Sequence, residues 1–237
     1  MEFTIEDLDF FVNNIYDKSF SSNNGGMASP DMFTLFFMLK KINPKIVIES
    51  GVWNGLSTKL IRKTLGPDVI IICLDPRDIP LDGYIDSNIN TIYYTGKKFI
   101  DFKDLDLKKY DSNDIFAFFD CHQNAPLRLL QCNDKKITNC FFNDNYPPKL
   151  GSHFTFQHLF NGDNRYNKLN ETQKNKIKTI IDIYYIFPNI FPTIIKTSEG
   201  SMPCKGFLNH DNREPKYNMF RNDINKYRWN TYIKIKT

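Results

Sequence analysis

From residue 45 onward, short runs of apolar, β-branched residues alternate with stretches in which apolar positions recur every three or four residues. The first pattern is that of strands and the second that of helices packed by one face. Strands are expected at 45–50, 69–74, 91–94 and Ile115–Phe119, and a helix at Leu56–Leu65, ended by Gly66 and Pro67. A weak helical stretch separates the third and fourth strands. Beyond them, "APLRLLQCND" reads as a short helix, "ITNCFFND" as a strand and 171–187 as the clearest amphipathic helix. "PTIIKT" and "NTYIKIKT" read as closing strands, the last of them antiparallel. Ahead of residue 43 two helices are expected, the second with Ser29 as N-cap and Pro30 at its first position. The polar turn "SFSSNNGGMAS", with Gly25 and Gly26, lies between them.

Runs such as "VIIICL" have no polar face, which implies strands covered on both sides. The expected fold class is therefore α/β, a doubly wound, mostly parallel seven-stranded sheet with helices on both faces. A chain of 237 residues that is 41% hydrophobic buries one core, so a single domain over 1–237 is expected, with the helices of 1–43 forming part of its cover. Two segments, 146–170 and 198–227, fit neither pattern. Loops of that length usually act as lids or binding walls.

Composition narrows the function classes only a little. The net charge is +4, and the lysines are scattered among aspartates with no basic arm, so nucleic acid is disfavoured as a partner. Asn, Ile and Lys are abundant and Ala is scarce, a bias of AT-rich genomes that discounts the lysines as a sign of an acidic partner. No apolar run is long enough to span a bilayer and no signal-like leader is present, so a soluble, cytoplasmic protein without a membrane partner is expected. Five cysteines, Cys73, Cys121, Cys132, Cys140 and Cys204, form no C-x-x-C pair, which favours reduced structural thiols over zinc.

The chemistry concentrates at strand ends. In "KIVIESGVWNGLSTKLI" the first strand ends on Glu49 and opens into Gly51 and Gly55 around Trp53, with Ser57 at the start of the next helix. Ligands of open α/β sheets sit beyond such carboxyl ends, at the switch point. Glu49 stands where the first glycine of G-x-G-x-x-G would be, which disfavours NAD, and no G-K-[ST] follows, which excludes a Walker loop. The second strand, "VIIICLDP", ends on Asp75; the fourth runs into "FFDCHQN" and the fifth into "FFNDNYPP".

The E-x-G-x-x-x-G stretch followed by Asp75 resembles the cofactor motifs of class I S-adenosylmethionine-dependent methyltransferases. The resemblance covers roughly 45–147 and implies their Rossmann-like fold. It implies that Gly51 and Gly55 let the backbone approach the methionine part of the cofactor, that Glu49 reaches its amino group, and that Asp75 accepts from both ribose hydroxyls. Trp53 would wall the cofactor pocket, and Asp101, after the third strand, sits where the family often contacts adenine. The later strand ends resemble metal-dependent small-molecule O-methyltransferases of the catechol and macrocin types, which carries Asp120, Asp144 and Asn145 over as ligands of Mg²⁺. The catechol enzymes place a lysine base where this chain has Gln123, and His122 is the nearest residue able to take a hydroxyl proton.

The function this implies is methyl transfer to a hydroxyl of a small polar acceptor, a sugar or glycan precursor, with assembly into a homo-oligomer left open. Two rivals share the fold. An RNA ribose 2′-O-methyltransferase would draw on Asp120, Lys196 and Glu199, and a non-catalytic protein would keep cofactor binding alone. His153, His158 and His210 are expected at the surface or in loops. The aromatics of "YPPKLGSHFTFQHLF" would either stack on a ring or anchor the loop.

Overall fold

A computed structural model describes residues 2–21, 26–197, 200–209, 214–223 and 226–236. Five parallel strands come first along the main sheet: β1 (Ile46–Ser50), β2 (Ile70–Asp75), β3 (Thr91–Thr95), β4 (Ile115–Phe119) and β5 (Asn139–Phe142). With β6 (Ile181–Ile186) and β9 (Thr231–Ile235) they form a seven-stranded sheet in the order β3-β2-β1-β4-β5-β9-β6. The last strand, β9, runs antiparallel to both of its neighbours. Strand order reverses at β1, so the carboxyl ends of β1 and β4 flank the switch point.

The sheet is buried on both faces because its strands alternate two apolar sets. Val47, Ile71, Phe116, Phe118 and Phe141 pack on one side beneath α3 (Ser29–Ile42) and α4 (Leu56–Leu65). Ile46, Ile48, Ile72, Leu74, Ala117 and Phe142 pack on the other beneath α5 (Ala125–Asp134) and α7 (Glu171–Ile180). Residues i and i+2 of each strand thus share a layer, the period that a pleated strand imposes.

Several expectations change. The helix foreseen over 171–187 stops at Ile180, and "IDIYYI" becomes β6, hydrogen-bonded to β9. That run is β-branched and aromatic, and its alternating positions Ile183 and Tyr185 against Tyr184 meet opposite layers, so packing on the sheet edge outweighs a continued helix. "PTIIKT" does form a strand, β7 (Thr193–Thr197), but it pairs with β8 (Gly200–Cys204) in a separate two-stranded ribbon. The seven strands are therefore reached with a different sixth member.

Short 3-10 turns, not a helix, link β3 to β4. Near the N-terminus, α1 (Ile5–Phe10) runs into a wide π turn over Phe11–Ile15, and a further short helix, α2 (Lys18–Ser21), precedes α3. Ser29 lies inside α3 and its hydroxyl donates to Asp223 at 2.6 Å. The cap is Ala28, whose N–H donates to Asp31 at 3.1 Å. Gly25, Glu199 and His210 lie outside the described residues.

Candidate active site

The opening glycines answer to the chain's own backbone. Gly51 has φ +98°, and a Cβ there would lie 2.5 Å from the Asp120 carbonyl carbon and oxygen. At Gly55, φ +81°, a Cβ would lie 2.0 Å from the Tyr84 carbonyl oxygen. Both positions therefore require glycine, for the left-handed backbone and for the close approach of β4's exit and of the β2–β3 connection. Gly51 also lines the cleft described below, whereas Gly55 does not.

One cleft of about 370 Å³ opens beyond the ends of β1, β2, β4 and β5. It gathers Gly51, Trp53, Asp75, Asp120, His122 and Asp144 from the sequence-predicted set. Pro76, Arg77, Cys121, Asn143 and Arg228 line it too.

Asp75 anchors the loop. Its Oδ2 accepts from the N–H of Val52 at 2.9 Å and of Trp53 at 3.0 Å. Its Oδ1 accepts from Arg77, through the backbone N–H at 2.9 Å and Nε at 3.2 Å. Burial acts to raise the Asp75 pKa, but these donors, Arg77 foremost, hold it below the usual carboxylate range. Arg77 also stacks on the half-exposed Trp53 indole, 4.6 Å from the ring centre, so Trp53 and Arg77 wall the same end of the cleft.

Glu49 is fully buried and lies under the loop, outside the cleft. Its Oε2 accepts from the Thr58 hydroxyl at 2.6 Å and from the Cys73 thiol at 3.5 Å, while Oε1 has no donor among the described residues. Burial pushes its pKa up to about 7, against the opposing hydroxyls of Ser57 and Thr58. Gly55 and Ser57 likewise lie outside the cleft wall.

Asp120, His122 and Asp144 bring one ligand atom each within 4.8 Å of one another. His122 Nε2 is 2.9 Å from Asp144 Oδ2 and 3.8 Å from Asp120 Oδ1. The shorter contact is not aligned as a hydrogen bond: Asp144 Oδ2 is buried and has no aligned donor among the described residues. The Asp144 contact raises the His122 pKa, more than burial lowers it. Burial, then Asp144, pushes Asp120 up. Burial would raise Asp144 as well, but His122 and Arg228 hold it down. Positive φ at His122 (51°) and Asp144 (57°) turns both side chains out of their strand directions towards each other.

Two further expected site residues go elsewhere. Asn145 is buried and donates to Tyr184 Oη at 3.0 Å and Thr231 Oγ1 at 2.7 Å, while its Oδ1 accepts from the Gln157 N–H at 3.2 Å. It ties β5's exit to β6 and β9 and does not join the carboxylates. Asn143 does: its Nδ2 donates to Asp120 Oδ1 at 2.8 Å, and its Oδ1 is buried without a partner. Asp101 pairs with Arg128 at 2.8 Å in a neighbouring cleft of about 510 Å³, which meets the first only at His122.

The loop aromatics Phe154 and Phe156 are buried anchors in the core. His153 and His158 are buried as well, not at the surface. His158 Nδ1 accepts from the Thr155 N–H at 3.2 Å, so its Nε2 carries the proton and faces the Pro147 and Leu150 carbonyls at 3.1 Å. His153 stacks on His122 with ring centres 5.6 Å apart. Lys196 belongs to the β7–β8 ribbon and does not line the cleft.

The donor chemistry suits a hard divalent cation. Asp144 Oδ2 and Asn143 Oδ1 are buried oxygens with no hydrogen-bond donor, and Asp120 stands beside them. Arg228 and Asn143 escaped the sequence reading. Arg228 follows a segment with no clear periodicity, and "NDN" offers two asparagines that only the backbone tells apart.

No family model matches the sequence, and no curated protein matches it. Solved structures do. A SAM-dependent O-methyltransferase from Thermotoga maritima aligns with 93% of this chain and 70% of its own, at 11% identity and a TM-score of 0.52. An O-methyltransferase from Bacillus cereus in complex with SAH aligns over 98% of this chain and 97% of its own, at 11% identity and a TM-score of 0.48. TomG, an O-methyltransferase from Streptomyces achromogenes in complex with SAM, aligns over 99% and 97%, at 9% identity and a TM-score of 0.47. The chain shares the Rossmann-like methyltransferase fold, with its mostly parallel seven-stranded sheet and one antiparallel strand.

Proposed function

We propose that this chain is an S-adenosylmethionine-dependent O-methyltransferase, acting on a hydroxyl of a small polar acceptor of the sugar or glycan-precursor class. The observation that carries the reading is the meeting, in one cleft at the switch point of a methyltransferase-like sheet, of the Gly51–Trp53 turn, Asp75 and the Asp120–His122–Asp144 cluster. Fold alone does not give activity. The Thermotoga neighbour supports the fold side of the proposal and the cluster supports its chemistry.

In this reading Trp53, Asp75 and Pro76 receive the nucleoside half of the cofactor. Arg77 must leave at least one Asp75 oxygen to a ribose hydroxyl, and its exposed side chain is free to swing. Glu49 lies beneath the loop with Oε1 lacking a donor among the described residues, so its charge, not a direct contact in the cleft, would favour the methionine ammonium. The cofactor supplies an electrophilic methyl group. The protein's task is alignment of the acceptor oxygen and removal of its proton.

Asp120, Asp144 and Asn143 would hold Mg²⁺, a Lewis acid that lowers the pKa of an acceptor hydroxyl. Oxygen ligands suit that ion, which leaves the His122 imidazole for the proton, and Asp144 at 2.9 Å stabilises the imidazolium that results. The helices of 1–43 contribute part of the cover, since Gly26, ahead of α3, lines the cleft.

A thermal-shift titration tests the reading. S-adenosylhomocysteine should stabilise the protein by about 2.7 kcal/mol at a hundredfold excess over Kd, and Asp75→Ala should abolish the shift. No shift at millimolar ligand would overturn the proposal.

A further inference from the structure

Arg228 precedes β9 and lines the cleft beside the carboxylate cluster. Three bonds fix its guanidinium: Nη1 to Asp144 Oδ1 at 3.1 Å, Nη1 to Tyr146 Oη at 2.9 Å, and Nε to the Lys226 carbonyl at 3.3 Å. None of them uses Nη2, which makes no hydrogen bond to any described residue. The side chain is 29% exposed, so it offers a rigid, pre-positioned pair of N–H donors to whatever fills the cleft. Two charge-assisted N–H groups on a guanidinium fixed this way suit oxygens of a carboxylate or phosphate.

The other arginine of the cleft, Arg77, lies with Asp75 and Trp53, the end of the cleft that the proposed function gives to the nucleoside. Charge points the same way. Asp75, Asp120 and Asp144 face Arg77 and Arg228, a formal balance of one negative charge among the lining residues before His122 is counted. S-adenosylmethionine carries one net positive charge, its sulfonium and ammonium against one carboxylate. With it in place the cleft is neutral, and a divalent cation at Asp120 and Asp144 leaves it cationic. A neutral sugar would leave that charge uncompensated. An acceptor with its own anion would not.

We infer that the methyl acceptor is an oxyanion-bearing hydroxyl compound, with its carboxylate or phosphate seated on the Nη2 edge of Arg228. Its reacting hydroxyl then lies beside Asp144 and His122, since the guanidinium that takes the anion also donates to Asp144. Such an acceptor carries its hydroxyl near its anionic group, as in a hydroxy acid, a uronic acid or a sugar phosphate. The inference rests on the methyltransferase reading of the cleft and names the class of acceptor within it.

Calorimetric titration of formate and of inorganic phosphate into the full chain in Mg²⁺ buffer, with and without saturating S-adenosylhomocysteine, provides the test. Both anions should bind saturably to the wild type. Arg228→Met and Arg228→Lys should each weaken them by about tenfold or more, because neither side chain presents fixed N–H donors at the Nη2 position, with S-adenosylhomocysteine affinity unchanged. The lysine variant keeps a positive charge beside Asp144, which separates loss of the Nη2 donors from loss of folding. Anion binding that is absent in the wild type, or equal in all three proteins, overturns the inference. Arg228-dependent anion binding without any S-adenosylhomocysteine binding would instead overturn the methyltransferase reading and leave the anion site standing.

Discussion

Glu49→Gln isolates the electrostatic cost built into the first strand. Glu49 is fully buried, and its pKa is pushed from 4.5 to about 7, with burial the largest cause. Between those values the folded chain holds a proton that the unfolded chain has released, so stability falls as pH rises through the window. Holding that proton up to about pH 7 is worth about 3 kcal/mol, fully lost above it. Gln keeps the shape and can still accept from Thr58, but carries no charge. Urea unfolding of both proteins from pH 4.5 to 8.5 should therefore show near-equal stability at the acid end and a growing advantage for the variant, approaching 3 kcal/mol. S-adenosylhomocysteine should reverse the order, because its ammonium favours an ionised Glu49 and finds no charge on Gln. A stability difference that stays constant across the range would refute the buried-carboxylate argument.

Gly51→Ala should lower stability by about 2 kcal/mol or more, since its Cβ meets the Asp120 carbonyl at 2.5 Å in a left-handed backbone; an unchanged denaturant midpoint would contradict this. Asn145→Ala should cost about 1–3 kcal/mol through the bonds lost to Tyr184 and Thr231, yet leave Mn²⁺ affinity intact by calorimetry. Asn143→Ala should do the reverse, weakening Mn²⁺ with little change in folding, and equal Mn²⁺ affinities in the two variants would reject the ligand assignment. His122→Ala should lower turnover on a methyl-accepting substrate by about a hundredfold or more with S-adenosylhomocysteine affinity retained; near-full activity would remove His122 as the base.

The sheet was legible because its strands are apolar on both faces and its helices on one, so periodicity carried β1 to β5, α4 and α5. It failed at 181–186, where a helix passes directly into an edge strand without a glycine or proline between them. Asp75, Asp120 and Asp144 were legible as acids at strand ends, a position fixed by sheet register. Asn145 takes Tyr184 and Thr231 as partners after a left-handed residue at Asp144, and nothing in "NDN" announces that turn. The backbone packing that Gly51 and Gly55 permit has no sequence signal for a related reason. Their partners, Asp120 and Tyr84, are distant in sequence and meet them through backbone atoms that carry no residue signature. Arg228 comes from the far end of the chain and reaches Asp144 only once β9 has inserted beside β5.

A crystal structure of the protein with S-adenosylhomocysteine and Mn²⁺ tests the central claim most directly, because it locates both groups at once. The account predicts the nucleoside between Trp53, Asp75 and Pro76 with Arg77 displaced from one Asp75 oxygen. It also predicts an anomalous peak bounded by Asp120, Asp144 and Asn143, with Asn145 still bonded to Thr231. Nucleoside density elsewhere, or Asp75 still closed by Arg77 beside an empty cleft at millimolar ligand, would contradict it.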